Sequence, residues 1–352
     1  MTLLDKAYAV ILAGGSGTRF WPKSRHLSPK QLCKIGDPDL TMIELTCKRL
    51  DDFIPPERRI IVTHKDQLEA TKALCKDRVG LYLAEPDAKN TANALGYAAL
   101  EIQKRSKDAF MISLHADHVI RKEDVFRNCL IKALEVANEN FLTLLGIVPT
   151  YPETGYGYIE RDNALPTDDA FRVKQFREKP NLETAKEFIS TGNFYWNAGL
   201  FVWKVKTILD ELYKRLPPSM ELLESAVEGK IDIESAYKEL PKISIDNAVL
   251  EVSTNTAVIA SDIAWQDVGS WASLASTFGT DDNNNYISGD IISIDSSNCT
   301  LDTDGPLIAT VGLKDHIVVH AKGSIMVCPT DRAQDVKLIV EHLKNAKRSD
   351  CL

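Results

Sequence analysis

A glycine-rich loop with several cations lies near the start of the chain. Gly14, Gly15 and Gly17 follow the apolar run 8–13. Thr18 comes next, and the cationic side chains that follow are Arg19, Lys23, Arg25 and Lys30. Glycine permits close approach of the backbone, so the N–H groups of such a loop can converge on an anion. The cations indicate a nucleoside triphosphate, although the pattern is neither a Walker A loop nor a GxGxxG fingerprint. An ordinary strand-to-helix turn beside a solvated basic helix is the alternative.

Two aspartates from distant parts of the chain are candidate metal ligands. Asp117 ends a predicted strand within LHADH, and Asp267 lies within WQDVGSW. Mg²⁺ is a hard cation that prefers oxygen ligands, so carboxylates opposite a phosphate loop suit it. His115 and His118 also permit a zinc site, but an HxxH pair with one aspartate is a weak zinc pattern. A strand-end capping aspartate and a solvated turn are the structural alternatives.

Three further segments carry side chains suited to a sugar phosphate. GYGYI offers a glycine-lined backbone around Gly157, against which a pyranose can lie. FREKP places Glu178, an acceptor for hydroxyls, beside Lys179, a cation for phosphate. Asn197 in YWNAG can both donate to and accept from a hydroxyl. Each segment alone is more often a turn, a surface ion pair or a loop.

Alternating strand and helix patterns must position these side chains. Short apolar runs predict strands over 8–13, 59–63, 81–84, 109–114 and 141–147. Between them, the apolar spacing of 91–105 and 123–139 predicts amphipathic helices. Such alternation is typical of an α/β fold with a mostly parallel sheet covered on both faces. Ligands of such folds bind beyond the carboxyl ends of the strands, where the glycine loop lies.

The pattern becomes mixed after about residue 150. Strands are predicted over 171–176, 199–203 and 257–260, and helices over 182–190 and 205–215. The polar run 281–285, DDNNN, is the best candidate linker. It divides the chain into a domain at 1–280 and a C-terminal domain at 281–352. In the latter, short strands are predicted over 286–328 and a closing helix near 332–347.

The composition excludes several classes of protein. The 352 residues are 44% hydrophobic and 26% charged, which suits a soluble protein with a sizeable core. A net charge of −8 argues against nucleic acid, which needs a broad basic face. Seven cysteines without CxxC spacing indicate reduced thiols. Because neither a signal peptide nor about twenty consecutive apolar residues are found, we expect a cytoplasmic protein with no membrane partner.

The first loop resembles the opening of the sugar-nucleotide pyrophosphorylases. Their pattern is an apolar strand, GGxGTRxxPxxR and, after a short gap, PK. Every fixed position is present here: Gly14, Gly15, Gly17, Thr18, Arg19, Pro22, Arg25, Pro29 and Lys30. The neighbouring FWP and PKQ are most similar to the mannose-1-phosphate guanylyltransferase branch. LHADH, GYGYI, FREKP, YWNAG and WQDVGSW match the family's PADH, GYGYI, FxEKP, WNxG and WxDxGxW segments in the same order.

The resemblance covers the chain from Tyr8 to the closing DRAQDVKLIVEHL stretch and implies both a fold and an activity. The fold is a Rossmann-like nucleotidyltransferase domain followed by a small left-handed β-helix. The activity is transfer of GMP from GTP to mannose 1-phosphate, giving GDP-mannose and pyrophosphate, with Mg²⁺ on Asp117 and Asp267. The nucleophile is an already ionised phosphate oxygen, so no general base is required.

The resemblance also implies roles for individual residues. The nucleotide would be bound by Gly14, Gly15, Gly17, Thr18, Glu85, Asn90 and Thr91. The sugar phosphate would be bound by Gly157, Glu178, Lys179 and Asn197. Arg19 and Lys30 would stabilise the departing pyrophosphate, while Lys179 would orient the attacking phosphate. Lys89 and Asn93 replace the arginine and second proline of EPxxRNTAPA, and lysine lacks the planar arginine fork. His115 replaces the proline of PADH.

Two alternatives fit the same motifs in part. One is a guanylyltransferase for another manno-configured sugar, such as a heptose 1-phosphate. The other is a regulatory subunit that binds nucleotide sugar without turnover, which should have lost a loop cation or a metal aspartate. Few residues follow the closing helix, so an additional isomerase domain is not expected. The C-terminal domain is expected to support a homo-oligomer.

Overall fold

A nine-stranded sheet forms the centre of the structure, a computed structural model in which residues 2–15 and 17–352 are described. The strands up to residue 267 are β1 (Ala7–Ala13), β2 (Arg59–His64), β3 (Leu81–Glu85), β4 (Phe110–His115), β5 (His118–Ile120), β6 (Leu142–Ile147), β7 (Tyr158–Ala164), β8 (Ala170–Arg177), β9 (Phe194–Lys204), β10 (Thr256–Ala260) and β11 (Trp265–Asp267). The strands predicted from apolar runs lie within one residue of these bounds, except that β9 begins at Phe194 rather than at residue 199.

The sheet is mostly parallel, as the alternation of strands and helices predicts. Its spatial order is β3-β2-β1-β4-β9-β6-β10-β8-β7, and β8 and β9 run antiparallel to their neighbours. Ala13 of β1 pairs with Thr63 of β2, and Leu12 pairs with His115 at the end of β4. Glu85 ends β3 beside His64. The glycine loop, Glu85 and His115 therefore leave the sheet at one edge.

Helices follow many of these strands along the chain, and one helix follows the last strand. They are α1 (Met42–Arg49), α2 (Leu68–Leu74), α3 (Thr91–Arg105), α4 (Glu123–Asn138), α5 (Leu182–Thr191), α6 (Val205–Arg215), α7 (Pro217–Val227), α8 (Ile233–Glu239), α9 (Ser273–Phe278) and α10 (Val336–Asn345). The bounds of α3 and α6 are those predicted, because their apolar residues recur on one buried face. The short helices α1, α2 and α8 offer too few turns for a recognisable period. Among the described residues, no helix has the length and apolar character to cross a membrane.

A separate two-stranded ribbon joins distant segments of the chain. The short strand β5 pairs antiparallel with β11, and this register places Asp267 directly opposite His118. Asp117 immediately precedes β5. The ribbon therefore brings the two candidate metal ligands to neighbouring positions, which no local pattern in the sequence predicts.

The C-terminal strands form a small stack of coils. They are β12 (Tyr286–Ser288), β13 (Ile291–Ile294), β14 (Thr300–Thr303), β15 (Ile308–Val311), β16 (His316–Ala321) and β17 (Ser324–Pro329). β12, β14 and β16 pair in parallel, β13 and β15 form a second parallel pair, and β17 returns antiparallel along β16. Parallel coils in two sheets agree with the β-helix-like domain that the resemblance implies.

The polar run 281–285 is an ordered turn. The Asp281 carboxylate accepts hydrogen bonds from the backbone N–H groups of Asn283 and Asn285, at 3.0 and 2.7 Å. Asn285 is buried, and its side chain donates to the Ser296 carbonyl and accepts from the Cys299 N–H. These polar groups satisfy one another at the start of the first coil. The run predicted as a linker is therefore a turn held by its own hydrogen bonds.

The C-terminal coils pack against the loop that follows β1. Phe20 of this loop packs against Trp271, with 5.1 Å between ring centroids, and Ile317 of β16 belongs to the same buried cluster. Lys23 donates to both carboxylate oxygens of Asp302 on β14, at 2.7 and 2.9 Å. These two side chains are only 13% and 2% exposed. The position of the loop thus depends on the C-terminal coils.

We expect Lys23→Met to lower the free energy of unfolding by about 3–5 kcal/mol, because it leaves the Asp302 carboxylate buried without its cation. Burial already raises the pKa of Asp302, against the opposing effect of Lys23, so the loss should be smaller at pH 5, where the orphaned carboxyl takes up a proton. Lys122→Met is the matched control, since the Lys122–Asp262 pair is 47% and 80% exposed and such pairs contribute at most about 1 kcal/mol. Urea unfolding measures both losses, and equal values would contradict this role of Lys23.

Candidate active site

The glycine-rich loop is held by side chains that follow it in the sequence. The Gln31 amide donates to the carbonyls of Ala13 and Gly15, at 2.7 and 3.2 Å. Gly17 has a φ of +58°, and a Cβ on it would lie 2.6 Å from the Lys30 Cβ. Both its backbone conformation and this close approach favour glycine. The loop and the segment around Lys30 therefore pack as one unit.

The Lys30 ammonium lies between the two candidate metal carboxylates. Its Nζ is 2.9 Å from Asp117 Oδ2 and 3.5 Å from Asp267 Oδ1. The Lys30 side chain is only 5% exposed, whereas each aspartate side chain is 32% exposed. The two aspartates that the sequence assigns to one metal therefore do come together, and a buried cation joins them.

Two histidines flank Asp117 and shape its surroundings. The rings of His115 and His118 stack with 4.7 Å between centroids, and Trp265 Nε1 donates to His118 Nδ1 at 3.2 Å. A Cβ on Gly199 would lie 2.8 Å from His115 Nε2. Glycine at position 199 therefore leaves room for the imidazole that stands where the family pattern has proline.

Charge and burial set the protonation of these groups. Burial by itself would raise the pKa of Asp117, but the Lys30 ammonium holds it well below its usual value. Burial lowers the pKa of His115 and of His118. At neutral pH the site therefore presents an ionised Asp117 beside two neutral imidazoles.

The donor set fits a divalent cation. His115, Asp117 and His118 each offer one ligand atom, and these atoms lie within 4.8 Å of one another. The ribbon adds the Asp267 carboxylate on the other side of Lys30. Carboxylate oxygens suit hard cations such as Mg²⁺, while neutral imidazole is the usual nitrogen ligand of Zn²⁺. Two ionisable carboxylates at one point favour the harder cation.

A cavity of about 380 Å³ opens beside Gly14 and Gly15, and Glu85 and Asp117 also line it. Glu85 is buried at the end of β3, and its carboxylate accepts a hydrogen bond from the Tyr237 hydroxyl at 3.2 Å. Burial raises the pKa of Glu85 to about 7, although the Tyr237 hydrogen bond opposes this shift. A titratable acceptor thus faces the space next to the glycine loop.

The start of α3 forms another wall of this cavity. Asn90 has a φ of +70° and caps the helix, its side-chain oxygen accepting from the Thr91 N–H at 2.8 Å. Thr91 Oγ1 in turn accepts from the Ile245 N–H at 2.9 Å. A non-glycine residue with positive φ is strained and occurs often at binding sites. The residues expected to bind nucleotide therefore meet here: Gly14, Gly15, Glu85, Asn90 and Thr91.

The departures from the family pattern lie beside this cavity. Lys89 Nζ is 3.6 Å from Asp87 Oδ2, which forms a partly exposed ion pair. Asn93 is buried and donates to the carbonyls of Lys89 and Pro241, at 3.0 and 2.7 Å. The proline of the family pattern has no side-chain donor and could not form these bonds. Asn93 therefore ties α3 to the segment around residue 241.

A second cavity of about 380 Å³ adjoins the first one, and Asn90, Thr91 and His115 line both. It brings together the residues expected at the sugar phosphate, namely Gly157, Glu178, Lys179 and Asn197. A Cβ on Gly157 would lie 2.6 Å from Glu178 Oε2, so only glycine leaves this carboxylate in place. Lys179 is 61% exposed, and its Nζ lies 2.5 Å from Glu178 Oε1.

A third cavity, of about 860 Å³, extends the site toward the C-terminal domain. Arg19, Lys179 and Asp267 line it, and the Arg19 guanidinium donates to Gln334 Oε1 at 3.2 Å. Thr18 lines a different cavity with Trp21, so the structure places it away from the other nucleotide residues. Gly17 contributes through its packing against Lys30, as described above.

The sequence-based prediction does not include three residues of the site. Gln31 fixes the glycine loop, Tyr237 contacts Glu85, and Asp246 accepts a hydrogen bond from the Asn197 amide at 2.9 Å. The PKQ motif is the one signal for Gln31. Asp246 begins a π-helical turn, Asp246–Leu250, and such turns are frequent at functional sites but leave no periodic pattern.

Two protein families and a solved structure are similar to this chain. The family described as Nucleotidyl transferase matches residues 8–284, and the MannoseP isomerase/GMP-like beta-helix domain matches residues 289–343. A solved structure from Thermus thermophilus, described as mannose-1-phosphate geranyltransferase, superimposes with a TM-score of 0.89 at 33% identity. The match covers 96% of this chain and 99% of the Thermus thermophilus chain.

Curated relatives extend this similarity over almost the whole chain. Mannose-1-phosphate guanylyltransferase of Escherichia coli K12 is 38% identical over 97% of this chain and 74% of its own length. Mannose-1-phosphate guanylyltransferase ManC of Salmonella typhimurium LT2 is 39% identical over 96% of this chain and 73% of its own length. The chain therefore belongs to the nucleotidyl transferase family, in the group whose curated members are named mannose-1-phosphate guanylyltransferases.

Proposed function

We propose that the chain transfers GMP from GTP to mannose 1-phosphate, giving GDP-mannose and pyrophosphate. The observation that carries this proposal is the cluster of Lys30, Asp117 and Asp267. Asp117 lines the cavity of the glycine loop, Asp267 lines the adjoining cavity, and Lys30 joins them. Phosphates from two ligands would meet at this junction. The names of the relatives support mannose 1-phosphate and GTP as the pair.

Glu85 supports guanine as the base. An ionised carboxylate only accepts hydrogen bonds, whereas guanine presents the N1–H and the amino group as donors on one edge. Glu85 is within reach of the loop, since a Cβ on Gly14 would lie 3.4 Å from its Oε2. Two donors directed at this buried carboxylate would favour its charged form and offset the effect of burial on its pKa.

The reaction requires that two anions be held together. The attacking oxygen belongs to a phosphate that is ionised at neutral pH, so the side chains orient and neutralise rather than remove a proton. We propose that Asp117 and Asp267 hold Mg²⁺, which would supply charge neutralisation between the phosphates. Lys179 lines both the second and the third cavity, where it would orient the sugar phosphate.

Lys30 and Arg19, the two loop cations assigned to catalysis, differ in burial, and we propose a different role for each. Lys30 is buried and paired with both carboxylates, so we propose that it keeps Asp117 ionised and both carboxylates aligned. Arg19 is exposed in the third cavity and would stabilise the departing pyrophosphate. The sequence assigns pyrophosphate stabilisation to both cations, and the difference in burial supports Arg19 for this role.

The retained charges also support catalysis over simple binding. A non-catalytic subunit has no need of a paired Lys30 or of two carboxylates at one point. Such groups are costly to bury, so we expect a protein without a catalytic requirement to have lost them.

We further propose a cytoplasmic location, which the seven free cysteines support.

Pyrophosphate release tests the function directly. GTP, ATP, UTP and CTP are each combined with mannose, glucose or heptose 1-phosphate in the presence of Mg²⁺. We expect release only with GTP and mannose 1-phosphate, and a loss of release when EDTA is added. Release with a heptose 1-phosphate instead would change the substrate but keep the mechanism. No release from any pair would favour the regulatory subunit.

We expect Asp117→Asn to lower kcat by about 10²–10³, since it removes one charge from the point where the phosphates meet. Lys179→Ala should cause a similar loss through poorer orientation of the sugar phosphate. Asp124→Asn is the matched control, because Asp124 is exposed on α4 and lies outside the three cavities. Steady-state pyrophosphate release measures all three variants. Near-normal turnover of Asp117→Asn would contradict a role in holding the metal.

We expect Glu85→Gln to weaken the preference for guanine. In the wild-type protein, GTP should be favoured over ITP, which lacks the amino donor, by about 10- to 100-fold in kcat/KM, and the variant should reduce this ratio to a few-fold. The pKa of Glu85 is raised to about 7, so wild-type kcat/KM for GTP should rise with pH through 7 as Glu85 ionises. With Glu85→Gln, the substrates still titrate, but the rise in kcat/KM that is due to ionisation of Glu85 should be absent. Identical pH profiles would exclude Glu85 from base recognition.

We propose that the C-terminal coils mediate self-association. Their outer strands expose large apolar side chains, with Val311 75%, Ile325 69% and Val327 58% exposed. Ile325 and Val327 lie on the same face of β17, and adjacent exposed apolar side chains of this kind are typical of interaction sites. The double variant Ile325→Lys/Val327→Lys should therefore lower the mass measured by light scattering. Val252→Lys, at an apolar position that is 53% exposed in the first domain, is the control. A monomeric wild-type protein would overturn this proposal.

A further inference from the structure

Asp246 lines the second cavity and belongs to none of the sequence motifs, although its neighbours Asn197 and Glu178 do. Its Oδ1 accepts a hydrogen bond from Asn197 Nδ2 at 2.9 Å. Glu178 lines the same cavity, and its Oε2 is buried without a hydrogen-bond partner among the described residues. Buried polar atoms are nearly always paired in folded proteins. The free Glu178 oxygen therefore points to a ligand atom that completes the pair of carboxyls.

The two carboxyls together suit hydroxyl groups rather than phosphate. Burial, with a further contribution from the negative charge of Glu178, raises the pKa of Asp246 to about 7. The nearby cation Lys179 is paired with Glu178 and mostly exposed, so it leaves Asp246 with little neutralisation. With its pKa raised, the Asp246 carboxyl can carry a proton and donate it to a hydroxyl, while Glu178 Oε2 in the same cavity is free to accept one. Such a set binds adjacent sugar hydroxyls and repels an anion.

The segment that carries Asp246 is held from both sides of the active site. The Ile245 N–H donates to Thr91 Oγ1 on the nucleotide side at 2.9 Å. On the sugar side, Glu251 Oε1 accepts from the Glu178 N–H at 3.1 Å. The π-helical turn lies between these two anchors. Asp246 is therefore positioned by contacts to both substrate cavities, which is the rigidity that discrimination between similar ligands requires.

The Asn197 amide is already engaged in this arrangement. Its Nδ2 donates to Asp246, and its Oδ1 accepts from the Gly199 N–H at 3.0 Å. The sequence assigns direct contact with a sugar hydroxyl to Asn197. These bonds make Asn197 a residue that also positions Asp246, while its second N–H and second lone pair remain available to a ligand in the cavity.

We infer that Asp246 is a specificity-determining residue that binds a sugar hydroxyl adjacent to the one bound by Glu178. The hydroxyl edge of the sugar then faces this carboxyl pair, and the 1-phosphate faces Lys179 and the Lys30–Asp117–Asp267 cluster. This inference rests on the proposed function, because it assumes a sugar 1-phosphate in the second cavity.

The test compares mannose 1-phosphate with its 2-deoxy, 3-deoxy and 4-deoxy analogues in wild-type protein and in Asp246→Asn. Asparagine has the same shape and can still accept from Asn197, so the fold should be retained, which thermal unfolding verifies. In the wild-type protein, loss of the contacted hydroxyl should lower kcat/KM by about 10- to 100-fold. In Asp246→Asn, the amide still reaches the hydroxyl but lacks the charge, so kcat/KM for mannose 1-phosphate should fall about 10-fold, the penalty for that one analogue should become smaller, and KM for GTP should not change.

Asp210→Asn is the matched control, since it removes the charge of an exposed aspartate on α6. A uniform loss on every analogue would show a merely structural role and overturn the inference. An Asp246→Asn variant with the wild-type pattern of discrimination would overturn it as well, while the proposed function would stand. A wild-type protein that releases no pyrophosphate from GTP and mannose 1-phosphate would overturn the proposed function, and the role of Asp246 with it.

Discussion

The pairing of one buried ammonium with two carboxylates constrains the rest of the site. An ion removed from water costs several kcal/mol unless a partner of opposite charge compensates for it. Lys30 is almost fully buried, and its compensation comes from Asp117, which immediately precedes one strand of the short ribbon, and from Asp267, which ends the other strand. Any displacement of the glycine loop, of the end of β4 or of the ribbon would leave this cation unpaired. The three segments are thereby coupled in position.

The loop that carries Lys30 also contacts the C-terminal domain, so this domain affects the position of Lys30. The loop is attached to the C-terminal coils through the buried Lys23–Asp302 pair. Arg19 donates to Gln334, and Trp21 Nε1 donates to the Cys351 carbonyl at 2.9 Å. The loop therefore rests on the second domain as well as on the sheet. The C-terminal domain thereby helps to fix the position of the loop that carries Lys30.

Charge is segregated along the cavities in a way that would orient the proposed substrates. Cations are concentrated where phosphates would meet, at Lys30, Arg19 and Lys179. Carboxyls with raised pKa values lie at the two far ends, Glu85 beside the glycine loop and Asp246 in the sugar cavity. Neutral hydrogen-bonding parts of the ligands, a base and a set of hydroxyls, match these ends. One arrangement of charge thus serves both positioning and selectivity.

Local features of the chain determined the elements and the chemical types. The bounds of α3 and α6 followed from their apolar periodicity, and the core strands followed from short apolar runs. Both signals are carried by residues that are close together in the sequence. The loop glycines and both candidate metal aspartates could be named as candidates from the sequence, since their motifs are contiguous. The short helices and the polar turn at 281–285 could not, because few residues or unrecognised hydrogen-bond partners carry their signal.

Only the tertiary structure decided which of these groups meet. The partners of Lys30, the contact of Tyr237 with Glu85, and the place of Asp246 beside Glu178 all join residues far apart in the chain. Such contacts arise from strand pairing and from an irregular π-helical turn, and local periodicity encodes neither. The sequence by itself determined the chemistry that is available, whereas long-range pairing decided which buried charges share a site.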